Sequence, residues 1–285
     1  MFLLHLTDPH LVAPPRRLFG LDPFQGLDEA LAHLVRHYPD ADLLLLTGDL
    51  TDLGEPAAYA ALRERLDRLP MPSVLLLGNH DARPAFRAAF PTAPVDDAGF
   101  VQRVVDHGDD LSLVALDTHV AAAGHGELCD ARLAWLDATL AARADRAVFL
   151  AMHHPPLGCG IPGMDAIGLA AAERFWAVVE RHGNVRHVFA GHIHRPFFGR
   201  KGAVSVSTVP GTSHQVHLQF TTADVVLGNH EPGLYAVARL GRDGFDLNHV
   251  AFADRSPRFV FDDASNQAAT PDALAPVPPP YADLV

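Results

Sequence analysis

Side chains able to bind a divalent cation occur in five short clusters along the chain. The clusters are Asp8-Pro9-His10, Gly48-Asp49-Leu50-Thr51-Asp52, Gly78-Asn79-His80-Asp81, His153-His154-Pro155-Pro156 and Gly191-His192-Ile193-His194. They combine carboxylate and amide oxygens with imidazole nitrogens and contain no thiolate, which is the ligand chemistry of hard to borderline divalent ions. The chain has 18 histidines in 285 residues, so histidine is unusually abundant and its placement is informative.

Each cluster directly follows a short apolar run, and these runs predict the strands that position it. The runs lie at residues 2–6, 43–46, 74–77, 148–151 and 188–190, with a sixth candidate strand at 111–116. Apolar residues at helical spacing lie between them, so strands and helices alternate, as in an α/β fold with a largely parallel sheet. Ligands bind beyond the carboxyl ends of parallel strands, so we expect the five clusters to form one site.

The number of candidate ligands indicates two ions rather than one. Seven side chains are candidates: Asp8, His10, Asp49, Asn79, His153, His192 and His194. One ion with four to six ligands would not use all of them, whereas one carboxylate can bridge two ions about 3.5 to 4 Å apart. Asp49 is the predicted bridge. His153 and His154 both follow the strand end, so the choice between them as the ligand stays open at this point.

In this order the clusters have the pattern DxH, GDxxD, GNHD, a strand-ending histidine and GHxH. This pattern resembles the calcineurin-like metallophosphoesterase superfamily over residues 1–215. Within it, the segments 152–156, 164–165 and 207–215 resemble the bacterial glycerophosphodiesterase and class III cyclic-nucleotide phosphodiesterase branch. The resemblance implies a four-layer α-β-β-α sandwich with a small β-rich C-terminal cap.

The resemblance also implies how the residues divide between two divalent ions, which would be Fe, Mn, Zn or Co. One ion would take Asp8, His10, Asp49 and His194, and the other would take Asp49, Asn79, His153 and His192. His80 would lie beside the reacting phosphate as the first candidate proton donor, with His154 as the second. Asn79, His80 and His214 would contact the substrate.

The expected reaction is hydrolysis of small phosphodiesters, cyclic nucleotides or glycerophosphodiesters, by a hydroxide that the two ions generate. Phe19-Gly20 stands where the glycerophosphodiesterase has a Tyr-Gly pair, so a phenolic hydroxyl is missing. Three alternatives are a catalytically weak scaffold with the same fold, a phosphatase, or a nuclease of the superfamily. A protein Ser/Thr phosphatase would instead show GDxxDRG and GNHE.

Composition narrows the location and partners of the protein. The formal net charge is −12, which disfavours long nucleic acid or an anionic membrane as a partner. We find no apolar run of about 20 residues for a membrane span. The two cysteines suggest no disulfide framework, so we expect a cytoplasmic protein.

The expected organisation is a catalytic core at 1–195, further strands and a small cap at 196–262, and a tail at 263–285. The cap could support a homo-oligomer.

Several other polar residues have simpler interpretations. Asp52 and Asp81 are expected to orient neighbouring groups rather than to bind an ion. His5, within the first strand, should be buried and hydrogen-bonded. The His33 and His37 pair should lie on an exposed helix face, and the segment 228–231 should form a turn.

Overall fold

Strands and helices alternate through the first two thirds of the chain, and strands dominate after that. The computed structural model describes residues 1–221 and 225–256, which contain six helices and thirteen strands. The helices are α1 (Pro23–His37), α2 (Pro56–Leu66), α3 (Arg83–Ala89), α4 (Asp130–Ala141), α5 (Pro162–Asp165) and α6 (Ala172–His182). The strands are β1 (Phe2–Leu6), β2 (Leu43–Leu46), β3 (Ser73–Leu75), β4 (Arg103–His107), β5 (Leu111–Ala115), β6 (Ala147–Ala151), β7 (Val185–Ala190), β8 (Phe197–Lys201), β9 (Val204–Thr208), β10 (Gln215–Val216), β11 (Gly228–Asn229), β12 (Tyr235–Leu240) and β13 (Phe245–Val250).

These strands form two large sheets and one short ribbon. The first sheet has the order β13-β12-β1-β2-β3, and the second has the order β4-β5-β6-β7-β9-β8. The pairs β1–β2 and β2–β3 are parallel, as are β5–β6, β6–β7 and β7–β9. The remaining pairs in both sheets are antiparallel. The predicted parallel strands therefore lie at the centre of each sheet.

Alternating side chains of the strands build three apolar layers. Leu43 and Leu45 of β2 pack with Phe149 and other residues of the second sheet, so the two sheets lie face to face. Leu44 and Leu46, on the opposite face of β2, pack against the helices of the first half of the chain. The helices α4 and α6 cover the outer face of the second sheet. The order helix, sheet, sheet, helix confirms the predicted four-layer sandwich.

The C-terminal strands mainly complete the two sheets. Strand β12 pairs with β1, with Phe2 opposite Arg239, and β9 pairs with β7. Among the strands that the structure describes, the two-residue strands β10 and β11 alone form a separate ribbon. The segment 228–231 is therefore not simply a turn, because Gly228 and Asn229 pair with β10. The domain boundaries remain predictions, and the tail at 263–285 lies outside the described residues.

Strand β12 also changes the expected surroundings of α1. His33 and His37 are half-buried rather than exposed, and their rings stack 4.2 Å apart. His33 Nδ1 lies 2.7 Å from the hydroxyl of Tyr235, a fully buried residue of β12. The sequence pattern of α1 did not indicate this, because the partner strand lies far away in the chain. Among the described residues, no helix is both long and apolar enough to cross a bilayer.

Candidate metal centre

The five loops that follow the parallel strands bring the seven predicted ligand side chains together at one end of the sandwich. Asp8 and His10 follow β1, Asp49 follows β2 and Asn79 follows β3, all in the first sheet. The second sheet contributes His153 after β6, and His192 and His194 after β7. Six of these residues are buried and Asn79 is half-buried. The structure thus brings these seven side chains together at one end of the sheets.

The carboxylate of Asp49 lies between the two sheets' histidines. Its Oδ2 atom is 3.3 Å from His10 Nε2 and 3.4 Å from His153 Nε2. Two groups of side chains therefore share this residue, as a bridging carboxylate requires.

One group surrounds Asp49 on the side of His10. The ligand atoms of Asp8, His10, Asp49 and His194 all lie within 4.8 Å of one another. His10 Nε2 and His194 Nε2 face each other at 3.0 Å. Nitrogen lone pairs and carboxylate oxygens converging in this way fit a divalent cation.

The second group surrounds Asn79. Its Oδ1 atom lies 3.1 Å from His153 Nε2 and 3.0 Å from His192 Nδ1. Together with Asp49, these atoms form a second set of oxygen and nitrogen donors. The arrangement therefore fits the division of ligands between two ions that the sequence resemblance implies.

The electrostatics of the site favour cations. Burial lowers the pKa of His10, but the hydrogen bond to Asp49 and its negative charge outweigh burial and raise this pKa to about 10. The same balance of burial against Asp49 raises the pKa of His153 to about 9. Burial lowers the pKa of His192 to about 3 and that of His194 well below its usual range. The carboxylates thus attract positive charge, while two imidazoles stay neutral, which is the form that binds a metal.

Neighbouring groups fix which ring nitrogen faces the centre. His153 Nδ1 lies 2.7 Å from the carbonyl oxygen of Thr47, and His194 Nδ1 lies 2.9 Å from that of His214. Because a carbonyl only accepts, each Nδ1 donates, so Nε2 is the nitrogen that faces the centre and binds a cation when the ring is neutral. His10 Nδ1 similarly lies 3.1 Å from Asp52. Asp52 therefore orients a ligand, as expected.

Asp81 holds two of the loops rather than facing the centre. Its carboxylate accepts hydrogen bonds from the backbone N–H groups of Leu50 and Gly78 at 3.1 and 2.9 Å. The Tyr59 hydroxyl donates to it at 2.7 Å. This ties the loop after β2 to the loop after β3, and so fixes Asp49 relative to Asn79.

The backbone of the centre is strained. Of the eight non-glycine residues with positive φ in the described part of the chain, five are candidate ligands: Asp8, His10, Asp49, His192 and His194. Such conformations cost of the order of 1–3 kcal/mol each and are retained where surrounding structure imposes them, often at functional sites. Residue type alone did not indicate this feature, although the clustering of Asp and His, which tolerate this region better than most residues, is compatible with it.

His80 lies at the open side of the centre. Its backbone N–H donates to Asp49 Oδ1 at 2.8 Å, and its ring centroid is 4.6 Å from that of His10. The side chain is 41% exposed. Its Nδ1 donates to the carbonyl oxygen of Asp52 at 2.9 Å, so Nε2 remains for a substrate. The position suits the predicted proton donor.

The structure encloses His154, the second candidate proton donor, within the protein. His154 is fully buried, its Nδ1 lies 2.8 Å from the Thr118 hydroxyl, and its Nε2 lies 3.2 Å from the Gly124 carbonyl oxygen. Both ring nitrogens are therefore engaged by the protein. Its ring also packs 4.7 Å from that of His153, so it supports a ligand from behind. The sequence did not single out Thr118, which holds this ring.

His214 lies beside the group that contains His10. Its ring centroid is 4.9 Å from that of His10 and 4.8 Å from that of Phe19. Burial lowers the pKa of His214 to about 3, so it is neutral near pH 7. Phe19 is 67% exposed. The predicted substrate-side residues Asn79, His80 and His214 thus all border the candidate centre.

Comparisons with known proteins agree with this geometry. The family model described as calcineurin-like phosphoesterase matches residues 1–196. A protein of Rhodopseudomonas palustris named as a probable cyclic nucleotide phosphodiesterase is 40% identical, over 91% of this chain and 95% of that protein. A glycerophosphodiester phosphodiesterase of Enterobacter lignolyticus is 31% identical, over 76% of this chain and 79% of that protein.

The fold is also found in a solved structure. A dimetal phosphatase from Danio rerio superposes with a TM-score of 0.67 at 16% identity, covering 89% of this chain and 96% of that one. This likeness concerns the fold alone. The match to the family model, together with relatives above 30% identity, shows that this chain belongs to the calcineurin-like phosphoesterase family, whose dinuclear divalent metal centre the seven side chains described above fit.

Proposed function

We propose that this protein is a metal-dependent phosphodiesterase that hydrolyses small phosphodiesters. The observation that carries the proposal is the position of Asp49, whose Oδ2 lies within 3.4 Å of both His10 and His153. The carboxylate therefore joins two groups of ligands, and His80 stands beside them with one ring nitrogen left for a substrate. The names of the relatives as phosphodiesterases support the same reaction class.

The chain's own residues divide the work of hydrolysis. When bound, a pair of divalent ions supplies an activated water as nucleophile and neutralises charge on the phosphate oxygens. Asn79, which lies beside His192, and His214, which lies beside His10, would orient the phosphate. His80, in its protonated form, donates a proton from Nε2 to the oxygen of the departing alkoxide. This donation is typically worth ~10²–10⁴-fold in rate.

Among phosphodiesters, we propose cyclic nucleotides as the first substrate class to examine and glycerophosphodiesters as the second. The exposed ring of Phe19 next to His214 offers an apolar surface for a nucleobase. The relative with 40% identity is named for cyclic nucleotides, and the relative with 31% identity is named for glycerophosphodiesters.

The proposal is tested with protein stripped by a chelator and reloaded separately with Mn²⁺, Fe²⁺, Co²⁺ or Zn²⁺. The substrates are bis(p-nitrophenyl) phosphate, 3′,5′-cAMP, 2′,3′-cAMP, glycerophosphoethanolamine and a phosphomonoester. We expect hydrolysis of at least one diester with at least one metal, and its loss in Asp49→Asn. A folded protein inactive on every diester would contradict the proposal and favour a scaffold; activity on the monoester alone would indicate a phosphatase.

Two further proposals concern surroundings and assembly. A reducing, cytoplasmic environment is supported by Cys129 and Cys159, which are both free thiols.

A homo-oligomer through the C-terminal ribbon is supported by exposed apolar side chains beside β10 and β11, including Leu218, Phe220 and Leu227. The net charge of −12 argues against long nucleic acid as a partner. Light scattering of the purified protein measures the assembly directly.

A further inference from the structure

A row of buried hydroxyl groups leads from the space between the sheets to the candidate ligand Asp8. Thr7 lies just after β1 and Thr47 lies just after β2, and both are fully buried. Their hydroxyl oxygens are 2.8 Å apart, and the Thr47 oxygen is also 2.8 Å from His5 Nε2. The Thr7 hydroxyl lies beside the carboxylate of Asp8, because a Cβ atom at Gly191 would be 2.1 Å from the Thr7 hydroxyl oxygen and 3.0 Å from Asp8 Oδ2. None of these three residues belongs to the ligand set.

The hydrogen bonds in this row all run in one direction. The Thr47 hydroxyl donates to Thr7, so the single proton of Thr7 is available for the carboxylate of Asp8, which only accepts. Thr47 then accepts from His5 Nε2. Burial lowers the pKa of His5 to about 3, so its ring is neutral and Nδ1 carries no proton. Successive donors aligned in this way polarise one another towards the carboxylate.

The row is tightly enclosed. A Cβ atom at Gly191 would lie 2.1 Å from the Thr7 hydroxyl oxygen, so only glycine fits beside it. The next backbone N–H, that of His192, donates to both Asp8 oxygens at 3.2 and 3.0 Å. The carboxylate therefore accepts from a backbone donor of the second sheet and has the Thr7 hydroxyl of the first sheet beside it. Both constrain its orientation in a completely buried position.

We propose that Thr7, Thr47 and His5 are positioning residues that hold Asp8 in the orientation needed to bind one of the two ions. The inference rests on the proposed metal-dependent function, since it assigns a role within that same centre. The ligand atoms of Asp8 cluster with those of His10 and His194, whereas its approach to His153 is 3.8 Å from Nδ1, the ring nitrogen that bonds to the Thr47 carbonyl oxygen. Loss of the row therefore weakens the binding of one ion and leaves the other in place.

The test compares variants that differ by one hydroxyl group. Thr7→Val and Thr47→Val keep the side-chain shape and remove the donor, whereas Thr7→Ser and Thr47→Ser keep the donor and remove a methyl group. Thr139→Val, a buried threonine in α4, serves as the matched control. The readout is Mn²⁺ affinity and stoichiometry by chelator competition and elemental analysis, with folding checked by circular dichroism.

We expect both valine variants to bind one ion ~10–100-fold more weakly, as is typical when a partner of a metal ligand is removed. The serine variants and Thr139→Val should bind both ions with unaltered affinity. Thr7→Val should have the larger effect because Thr7 contacts Asp8 directly. His5→Leu should have the smallest effect because two hydroxyls separate it from the carboxylate.

Two results would overturn the inference: valine variants that bind both ions as tightly as the unaltered protein, or serine variants that lose as much affinity as valine variants. If a valine variant does not fold, Thr7→Ala and Thr47→Ala remove the hydroxyl without adding an atom and are judged by the same criterion. If the proposed function itself is wrong, the unaltered protein will bind both ions but hydrolyse no phosphodiester. This result is distinct from a change in the metal affinity of the variants.

Discussion

His80 differs from the ligand histidines in its surroundings. The six buried ligand residues are enclosed by protein, whereas His80 is 41% exposed and commits only Nδ1 to the chain. Its ring is thus placed to exchange a proton with a substrate rather than to hold an ion. This distinction follows from exposure and hydrogen bonding and could not be read from the GNHD sequence alone.

Replacement of His80 should therefore slow catalysis without removing metal. We expect His80→Gln to lower kcat for 3′,5′-cAMP by ~10²–10⁴-fold, because the alkoxide then leaves without a proton. The loss should be smaller for bis(p-nitrophenyl) phosphate, whose nitrophenolate needs no proton to depart. Steady-state kinetics and metal analysis measure both, with His107→Gln on β4 as the control. Equal losses for the two substrates would argue against proton donation.

Phe19 has an unusual backbone for an exposed aromatic residue. Its φ is 50°, and its ring meets that of His214 at a centroid distance of 4.8 Å. A strained residue that presents an apolar ring next to the candidate substrate position is expected to contact substrate.

Phe19→Leu should lower kcat/KM for 3′,5′-cAMP by about 10-fold and leave glycerophosphoethanolamine nearly unchanged, because only the nucleotide has a base to stack on the ring. Phe198→Leu, at a position that is 70% exposed on β8, is the matched control. An equal decrease for both substrates would indicate that Phe19 supports the loop rather than a base.

The loop after β2 and the loop after β3 approach each other very closely. A Cβ atom at Gly78 would lie 2.1 Å from Asp49 Oδ1 and 2.5 Å from the Asp49 backbone nitrogen. Glycine at position 78, directly before the ligand Asn79, therefore allows the loops after β2 and β3 to approach this closely.

Gly78→Ala should displace the bridging carboxylate and weaken Mn²⁺ binding by ~10-fold or more. Elemental analysis and chelator competition measure the change. Gly244→Ala is the control, because a Cβ atom there meets nothing within 4 Å. Unchanged affinity in a folded Gly78→Ala variant would contradict the close approach.

Strand β7 carries a buried histidine that makes folding sensitive to acid. His187 lies between the hydroxyls of Ser205 and Ser207 at 2.7 and 2.8 Å, and burial lowers its pKa to about 3. The unfolded chain binds a proton at this position below about pH 6.5, whereas the folded chain does so only near pH 3. Acid therefore favours the unfolded state between these values.

For metal-free protein, lowering the pH from 6.5 to 5 should reduce the free energy of unfolding by about 2 kcal/mol through His187 alone. Urea denaturation at the two pH values measures this loss. His187→Gln keeps hydrogen-bonding groups near the serines but does not titrate, so its loss over the same interval should be smaller by about that amount. An identical pH dependence in the two proteins would show that His187 is not responsible.

Strand positions were predictable because local composition determines them. The runs at 2–6 and 43–46 coincide with β1 and β2, and ligand positions followed from the clusters behind such runs. The pairing of β12 with β1 was not predictable, since nothing in residues 235–240 specifies a partner so far away. The same long-range contact half-buries His33. The positive φ values of five ligands were not predictable either, because residue type alone does not specify them.

At the scale of the whole molecule, the candidate metal centre joins the two sheets. The first sheet supplies Asp8, His10, Asp49 and Asn79, and the second supplies His153, His192 and His194. Apolar packing between the sheets lies behind this centre and holds the two sets of ligands in register. The sandwich therefore serves as a rigid frame that brings together donors from distant parts of the chain.

The most direct measurement of this account is anomalous X-ray diffraction from crystals of the Mn²⁺-loaded protein. We expect two anomalous peaks about 3.5 to 4 Å apart, on either side of the Asp49 carboxylate. One peak should contact Asp8, His10 and His194, and the other should contact Asn79, His153 and His192. A single peak, or peaks bound by residues outside this set, would contradict the claim that these loops form a dinuclear metal centre.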